Sequence, residues 1–173
     1  MATFLERFAS PRFEMWAHIH AGRFAEAERI VRALIAESDT NDHQSRCLLF
    51  GQLGSILNSL GRHDDATGAL REAMNHELQL SGTNAEPQPH RYFLADQYLN
   101  FGDPKEAIAV IGVIPPGVGG VRCLLHITAA KALWAMGRQD EARRAAADAL
   151  AAAPPDMPRS EVLSDLGEIL EPQ

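Results

Sequence analysis

The chain has 173 residues, of which 46% are apolar and 23% charged, and this composition argues against a disordered chain. Its net charge of −7 leaves no basic surface for phosphate, which argues against nucleic-acid binding. Neither a secretory signal nor a membrane-spanning run is evident, so we expect a cytoplasmic protein without membrane contact. Lys105 and Lys131 are the only lysines, and this bias towards arginine suggests a bacterial coding sequence.

A glycine followed five residues later by an alanine occurs four times along the chain. The pairs are Gly22 and Ala27, Gly61 and Ala66, Gly102 and Ala107, and Gly137 and Ala142. The glycines lie 39, 41 and 35 residues apart, a period that is typical of stacked supersecondary units. Apolar residues with helical spacing flank every glycine, which predicts a helix before it and a helix after it. Glycine ends the first helix of each pair because the left-handed conformation costs it least.

In chain order, a short helix is predicted at Thr3–Ala9, with Thr3 and Glu6 as a capping box. Four helix pairs follow at approximately 11–38, 42–80, 89–114 and 120–153, and a capping helix at 158–171. In the third pair, Asp103 is the predicted N-cap, Pro104 takes the first helical position, and Glu106 reaches back to the Asp103 amide.

Two segments interrupt this pattern: 81–89 is a loop by composition, and 114–120 is too rich in proline and glycine to be helical throughout. Prolines 154, 155 and 158 end the eighth helix. The apolar face of the last helix would cover the open end of the stack. That face comprises Val162, Leu163, Leu166, Ile169 and Leu170.

These residues resemble the tetratricopeptide repeat, whose pattern is a large–small pair, a tyrosine-like residue, a turn glycine and an alanine. The third unit matches it at Leu94, Ala95, Tyr98, Gly102, Ala107 and Ile111. The resemblance covers roughly residues 11–154 and is weakest in the first unit, where Glu14 stands at the usual leucine position. It implies an all-α, right-handed superhelical solenoid of four helix pairs in a single domain, 1–173, closed by the capping helix.

Small residues are predicted where the two helices of a unit cross, because they let the backbones approach closely. On the first helices these residues are Gly54, Ala95 and Ala130, and they face Ala66, Ala107 and Ala142 on the second helices.

In this family the first helix of each unit lines a concave groove where peptides bind, and the resemblance implies which residues line it here. They are Arg12, Trp16, His20, Gln52, Ser55, Ser59, Tyr92, Asp96, Asn100, Thr128, Lys131 and Trp134. Trp16 and Trp134 are the predicted anchors, since large aromatic residues dominate binding hot spots; the alternative is that both pack inside the solenoid. The family's clamp for heat-shock-protein carboxylates is not expected, because Trp16, Gln52, Pro89 and Phe93 replace its residues.

No catalytic, metal-binding or cofactor-binding motif is complete in the sequence. His76 and Glu77 begin like a zinc-protease helix, but the second histidine is absent. The segment 117–120 lacks the lysine of a phosphate loop and is read as a turn. Cys47 and Cys123 each precede apolar residues and are expected to be buried thiols rather than a disulfide.

The sequence therefore predicts a non-catalytic protein without cofactor or metal that binds a partner protein or peptide in the groove. One alternative is a dedicated partner protein, such as a secretion chaperone or the inhibitor of a neighbouring toxin. A second alternative is a homodimer joined through its C-terminal helix or through an N-terminal patch. That patch comprises Phe4, Leu5, Phe8 and Phe13.

Overall fold

The computed structural model describes residues 4–81 and 89–170, and their side chains over 11–80 and 89–170. Within these residues there are nine α-helices and no strand, which confirms the predicted all-α fold. The helices are α1 Phe4–His20, α2 Phe24–Glu37, α3 His43–Ser59, α4 His63–Ser81, α5 Pro89–Asn100, α6 Pro104–Ile111, α7 Gly120–Ala135, α8 Gln139–Ala152 and α9 Arg159–Leu170. Two compact units divide at residues 83 and 84, with α1–α4 in the first unit and α5–α9 in the second. In each unit, consecutive helices pack in pairs.

The N-terminal helix differs from the prediction, because α1 runs without interruption from Phe4 to His20 and contains Pro11. Proline removes one backbone hydrogen bond from a helix interior. Met15 and Ile19 of α1 pack in the core of the first unit, and this tertiary packing supports the helix beyond the proline. The predicted capping box at Thr3 and the side chains of residues 4–10 lie outside the described part of the chain.

Both predicted interruptions are shorter or differently placed than the composition suggests. Ser81 is the last residue of α4 and Pro89 the first of α5, so the predicted loop reduces to 82–88, which lies outside the described residues. The irregular segment between α6 and α7 covers residues 112–119, so it begins two residues before the predicted 114–120 and ends one residue before it. Two arginines hold it: Arg91 donates to the carbonyls of Val110 and Val113, and Arg122 donates to those of Pro115 and Val118.

The four glycine turns share one geometry. The φ angles of Gly22, Gly61, Gly102 and Gly137 lie between +69° and +81°. The amide after each glycine donates to the carbonyl five residues earlier, at 2.9 Å in all four turns. Each glycine amide donates to the carbonyl three residues earlier. This pattern is the Schellman motif, and it confirms that glycine is used for its left-handed conformation.

The third turn also corrects one predicted hydrogen bond. The Asp103 carboxylate accepts from the Glu106 amide at 3.2 Å, as expected of an N-cap. The Asp103 amide, however, donates to the Tyr98 carbonyl as part of the turn. A reciprocal bond from the Glu106 side chain is therefore not needed, because the C-terminal motif of α5 already satisfies this amide.

Replacing Gly61 with alanine is expected to lower the free energy of unfolding by about 1–2 kcal/mol, the cost of a left-handed conformation for a residue with a Cβ. A Cβ there meets nothing within 4 Å, so the cost is conformational rather than steric. Gly68, inside α4, is the matched control because its Cβ would also enter open space and its backbone is helical. Gly68→Ala is expected to stabilise the chain by up to about 1 kcal/mol. Urea denaturation measures both, and equal effects would contradict this account.

The helix crossings are as close as the small residues predict. Ala66, Ala107 and Ala142 are fully buried, as are Ala95 and Ala130 on the facing helices. At Gly54 a Cβ would lie 2.8 Å from Leu70 Cγ and 3.4 Å from the Ala66 carbonyl oxygen, so α3 and α4 touch there almost backbone to backbone. Cys47 and Cys123 are buried free thiols, as predicted.

The last helix covers apolar surface of the second unit. Val162, Leu166 and Ile169 of α9 are buried in a core shared with α7 and α8. Leu163, which the sequence placed on the same apolar face, is 41% exposed. The helical period explains the difference, since the buried residues are spaced by four and three and Leu163 lies one position off that row.

Candidate functional site

In the first unit, four of the six predicted groove residues are exposed to solvent, two on α1 and two on α3. Trp16 is 43% exposed, although the adjacent Met15 is buried. The Trp16 ring stacks on His20, with 5.9 Å between the ring centroids. Ser55 and Ser59 are exposed on α3, and Gln52 is half-buried. These side chains present one large aromatic surface and small polar groups to solvent.

Arg12, the remaining predicted residue of this unit, is half-buried. Its Nε atom is the one buried side-chain nitrogen or oxygen without a hydrogen bond among the described residues. The positive charge of Arg12 also helps to hold the pKa of the Asp42 carboxyl below its usual range. The larger cause of that lowered pKa is the hydrogen bond that Asp42 accepts from the Ser45 amide. Arg12 therefore supports the start of α3 and is only partly available to a guest.

In the second unit, polar side chains from three helices form one electrostatically linked line. On α5, Asn100 Nδ2 donates to Asp96 Oδ2 at 2.9 Å. On α7, Lys131 Nζ donates to Asp165 Oδ1 of α9 at 2.8 Å. Burial raises the pKa of the Asp96 carboxyl, whereas the Asn100 hydrogen bond and the Lys131 charge oppose that rise. Three predicted residues thus come together with Asp165, which the sequence did not identify.

Tyr92 belongs to the same region of the second unit. It is half-buried, and its ring centroid lies 5.2 Å from that of Phe93. Burial raises the pKa of the Tyr92 hydroxyl, and the carboxylates of Asp96 and Asp165 raise it further. Tyr92 therefore stays neutral and remains a hydrogen-bond donor at physiological pH.

The other two predicted residues on α7 are less accessible. Thr128 is 2% exposed, and its hydroxyl donates to the Leu124 carbonyl at 3.0 Å, so it offers no surface to a guest. Trp134 is half-buried against the core shared with α9. The Arg143 guanidinium lies 5.8 Å from the centroid of its ring. Much of the Trp134 surface therefore packs inside the second unit, in agreement with the alternative that this tryptophan packs inside the solenoid.

A cleft of about 510 Å³ lies between α7 and α9, beside the Lys131–Asp165 ion pair. Its charged lining residues are Lys131, Asp165 and Glu168, and Trp134 forms part of its apolar wall. Two carboxylates face one cation, so the cleft is acidic in net charge. Because Lys131 is already paired with Asp165, an entering cation finds a favourable site and an entering carboxylate does not.

Two smaller clefts lie elsewhere in the second unit, and Ile114 and His126 line both of them. Their volumes are about 410 and 280 Å³, and most of the other lining residues are apolar. Burial lowers the pKa of the His126 imidazole, which favours its neutral form, and the Asp148 carboxylate partly opposes this. Among the described helices, none is long and apolar enough to cross a bilayer.

Comparison with known proteins supports the repeat assignment. The family model described as tetratricopeptide repeat matches residues 12–33 and 124–148, segments that contain Gly22–Ala27 and Gly137–Ala142. The first of these segments lies in the first helix pair, where the resemblance by sequence was weakest. No curated protein matches the chain significantly.

Solved structures extend the similarity of fold over nearly the whole chain. The nearly identical TPR-like repeats of a candidate kinesin light chain from Podosopora anserina superpose with a TM-score of 0.65 and 16% identity, covering 96% of this chain and 90% of that one. A second crystal structure of that protein, which carries a single substitution, gives a TM-score of 0.66 and 16% identity, covering 94% and 87%. At this identity the similarity concerns the fold alone.

Proposed function

Because the chain is a tetratricopeptide-repeat protein, and such repeats generally mediate protein–protein interaction, we propose that it binds a segment of a partner protein. The segment lies along the solvent-facing sides of α1 and α3 in the first unit. The observation that carries this proposal is the exposure of Trp16. Its side chain is 43% exposed, although the adjacent Met15 of α1 is buried. Large aromatic residues dominate the energy of protein interfaces, so an accessible tryptophan on this face is a suitable anchor.

Polar groups on α3 of the same unit suit an extended or helical guest. Ser55 and Ser59 are exposed, and each hydroxyl has an acceptor oxygen that a backbone amide of the guest can use. The Ser59 hydroxyl donates to the Ser55 carbonyl at 3.2 Å, so its oxygen can still accept a hydrogen bond from a guest. Hydroxyl groups of this kind orient a guest without requiring a particular charge.

The second unit offers a candidate contact region of its own, with a different chemistry. Its cleft between α7 and α9 is acidic in net charge and has one tryptophan wall. A basic or neutral guest segment is therefore favoured there over an acidic one. This preference agrees with the absence from the sequence of the clamp that grips terminal carboxylates. Thr128 is omitted from the proposed contact surface because it is buried.

A photo-crosslinking experiment tests this proposal. A benzoyl-phenylalanine replaces Ser55 in the full chain, and the crosslinked partner segment is identified by mass spectrometry from cells of the native host. The matched control carries the probe at Leu48, which is also on α3 and is 52% exposed but does not lie among the proposed contact residues. We expect a defined segment to crosslink to position 55, and this product to be lost in the Trp16→Ala background. Equal crosslinking from both positions, or no effect of Trp16→Ala, would contradict the proposal.

A second candidate function is self-association through α1. Phe13 is 78% exposed, and an apolar side chain this open favours a protein contact. Light scattering of the full chain, repeated with Phe13→Ser, tests it. A monomer at all concentrations excludes this candidate and leaves the first one unaffected. The proposed roles need no catalysis, in agreement with the scaffold character of this repeat class.

A further inference from the structure

Two histidines and an arginine, none of them among the proposed contact residues, form a half-buried cluster in the first unit. His43 begins α3 and His76 lies in α4, with 2.9 Å between their Nδ1 atoms. The Nε atom of Arg46 lies 3.2 Å from Nε2 of His76. Phe50 covers the cluster: its ring stacks on His76 at 5.7 Å, and the Arg46 guanidinium lies 5.3 Å from its centroid.

The hydrogen atoms of this cluster follow from the arginine. An arginine Nε–H can only donate, so Nε2 of His76 must accept and therefore carries no proton. Neutral His76 then carries its proton on Nδ1 and donates it to Nδ1 of His43. The cluster is thus a directional chain from Arg46 to His76 to His43, and it requires both imidazoles to be neutral.

One added proton breaks this series of hydrogen bonds, whichever imidazole nitrogen it binds. A proton on Nε2 of His76 faces the Arg46 Nε–H, so a hydrogen bond is lost and two cations come together. A proton on Nδ1 of His43 faces the Nδ1–H of His76. If His76 moves its proton to Nε2 in response, the conflict with Arg46 returns. No protonated arrangement keeps both hydrogen bonds.

We propose that the His43–His76–Arg46 cluster is an acid-sensitive latch that holds α2, α3 and α4 together at neutral pH. Arg46 connects it to α2, because its Nη1 donates to the Ile35 carbonyl at 3.3 Å and to the Ser38 hydroxyl at 3.2 Å. Acidification opens the latch and loosens the packing of α4 against α3 and the end of α2.

Most of the groups around His76 disfavour an added proton on its imidazole. Burial lowers the pKa of His76, and the positive charge of Arg46 and the neighbouring His43 lower it further. Glu72 of α4 acts in the opposite sense, but it is exposed to solvent. Asp42, the N-cap of α3, accepts from the Ser45 amide, and its carboxylate attracts a positive charge on the neighbouring His43, so it also acts in the opposite sense. No acidic group is hydrogen-bonded to the two imidazoles among the described contacts.

A metal ion is a less suitable occupant of the same two nitrogens. Coordination at Nδ1 of His76 would leave the ring proton on Nε2, where it meets the Arg46 Nε–H. The cluster as built therefore favours the exchange of a proton over the binding of a cation.

The sign of the pH effect follows from the lowered pKa. In the unfolded chain His76 takes up a proton near the ordinary histidine value of 6.5, and in the folded chain His76 does so only at lower pH. The latch is therefore complete well above 6.5, and its stabilisation is lost progressively as the pH falls through 6.5 towards the folded pKa.

Amide hydrogen exchange on the full chain tests the latch at about pH 7.5 and about pH 5.5, corrected for intrinsic exchange rates. We expect protection in peptides covering 35–46 and 70–80 to fall by roughly two- to tenfold at the lower pH, the effect of losing one hydrogen bond. The double variant H43Q/H76Q retains neutral donors and acceptors but cannot titrate. It is expected to lose this pH dependence.

The control variant is His126→Gln, which removes a half-buried histidine from the second unit and leaves the first-unit response unchanged. A measurement on the unmodified chain is independent of whether the double variant folds. Nitrogen NMR of the imidazoles is expected to report the Nδ1–H tautomer for His76 at neutral pH. An Nε2–H tautomer there, or an equal loss of protection in H43Q/H76Q, would overturn the proposal.

Discussion

Leu166→Ala is expected to lower the free energy of unfolding by about 2–5 kcal/mol, the usual cost of removing a fully buried leucine. Leu166 is 0% exposed and lies in the core that α9 shares with α7 and α8. Its truncation leaves a cavity at the point where the last helix docks. Urea denaturation followed by circular dichroism measures the loss.

Leu163 is the matched control for this prediction, since it is a leucine of the same helix and is 41% exposed. Leu163→Ala is expected to change the free energy of unfolding by no more than about 0.5 kcal/mol. If the two substitutions cost the same, α9 is not docked through the face described above. A large cost at Leu166 alone supports its role as the cover of the apolar surface of α7 and α8.

Ala107→Leu is expected to lower the free energy of unfolding by about 1–3 kcal/mol through overpacking. Ala107 is fully buried at the crossing of α6 with α5, where Ala95 is fully buried too. The additional methylene groups have no space there, so the two helices must separate or adopt strained rotamers. Thermal unfolding of the full chain measures the effect.

The control for this substitution is Ala109→Leu, two residues further along α6, where the side chain is exposed. It introduces the same chemistry into the same helix without steric conflict, and a change of at most about 0.5 kcal/mol is expected. An unchanged melting temperature for Ala107→Leu would show that the crossing is looser than the burial of Ala95 and Ala107 indicates.

The turns and helix crossings were predictable because their causes are local. A left-handed residue after a helix requires glycine, and the same hydrogen bonds recur at Gly22, Gly61, Gly102 and Gly137. Close crossings require small side chains, and the alanine of each repeat supplies one. The end of the first helix was not predictable in this way. Pro11 argues locally for a break, but the burial of Met15 against α2 outweighs one lost hydrogen bond.

The candidate site was only partly predictable, since helical register places residues on a face but does not say what covers them. Trp16 and Ser55 are accessible as expected, whereas Thr128 is buried. Lys131 pairs with Asp165, which lies 34 residues later on a helix read only as a cap. No local pattern marks such a partner, because the contact depends on how α9 docks against α7.

The sequence by itself determined the repeat, the all-α fold, the glycine turns and the small residues at the crossings, because these features arise from backbone conformation and side-chain size over a few turns of helix. Tertiary structure alone decided which groove residues remain accessible, how Asp165 meets Lys131, and how Arg46 orders the two imidazoles of His43 and His76. The physical reason is that hydrogen bonds and ion pairs between helices require positions accurate to a few tenths of an ångström, which packing supplies and sequence spacing does not.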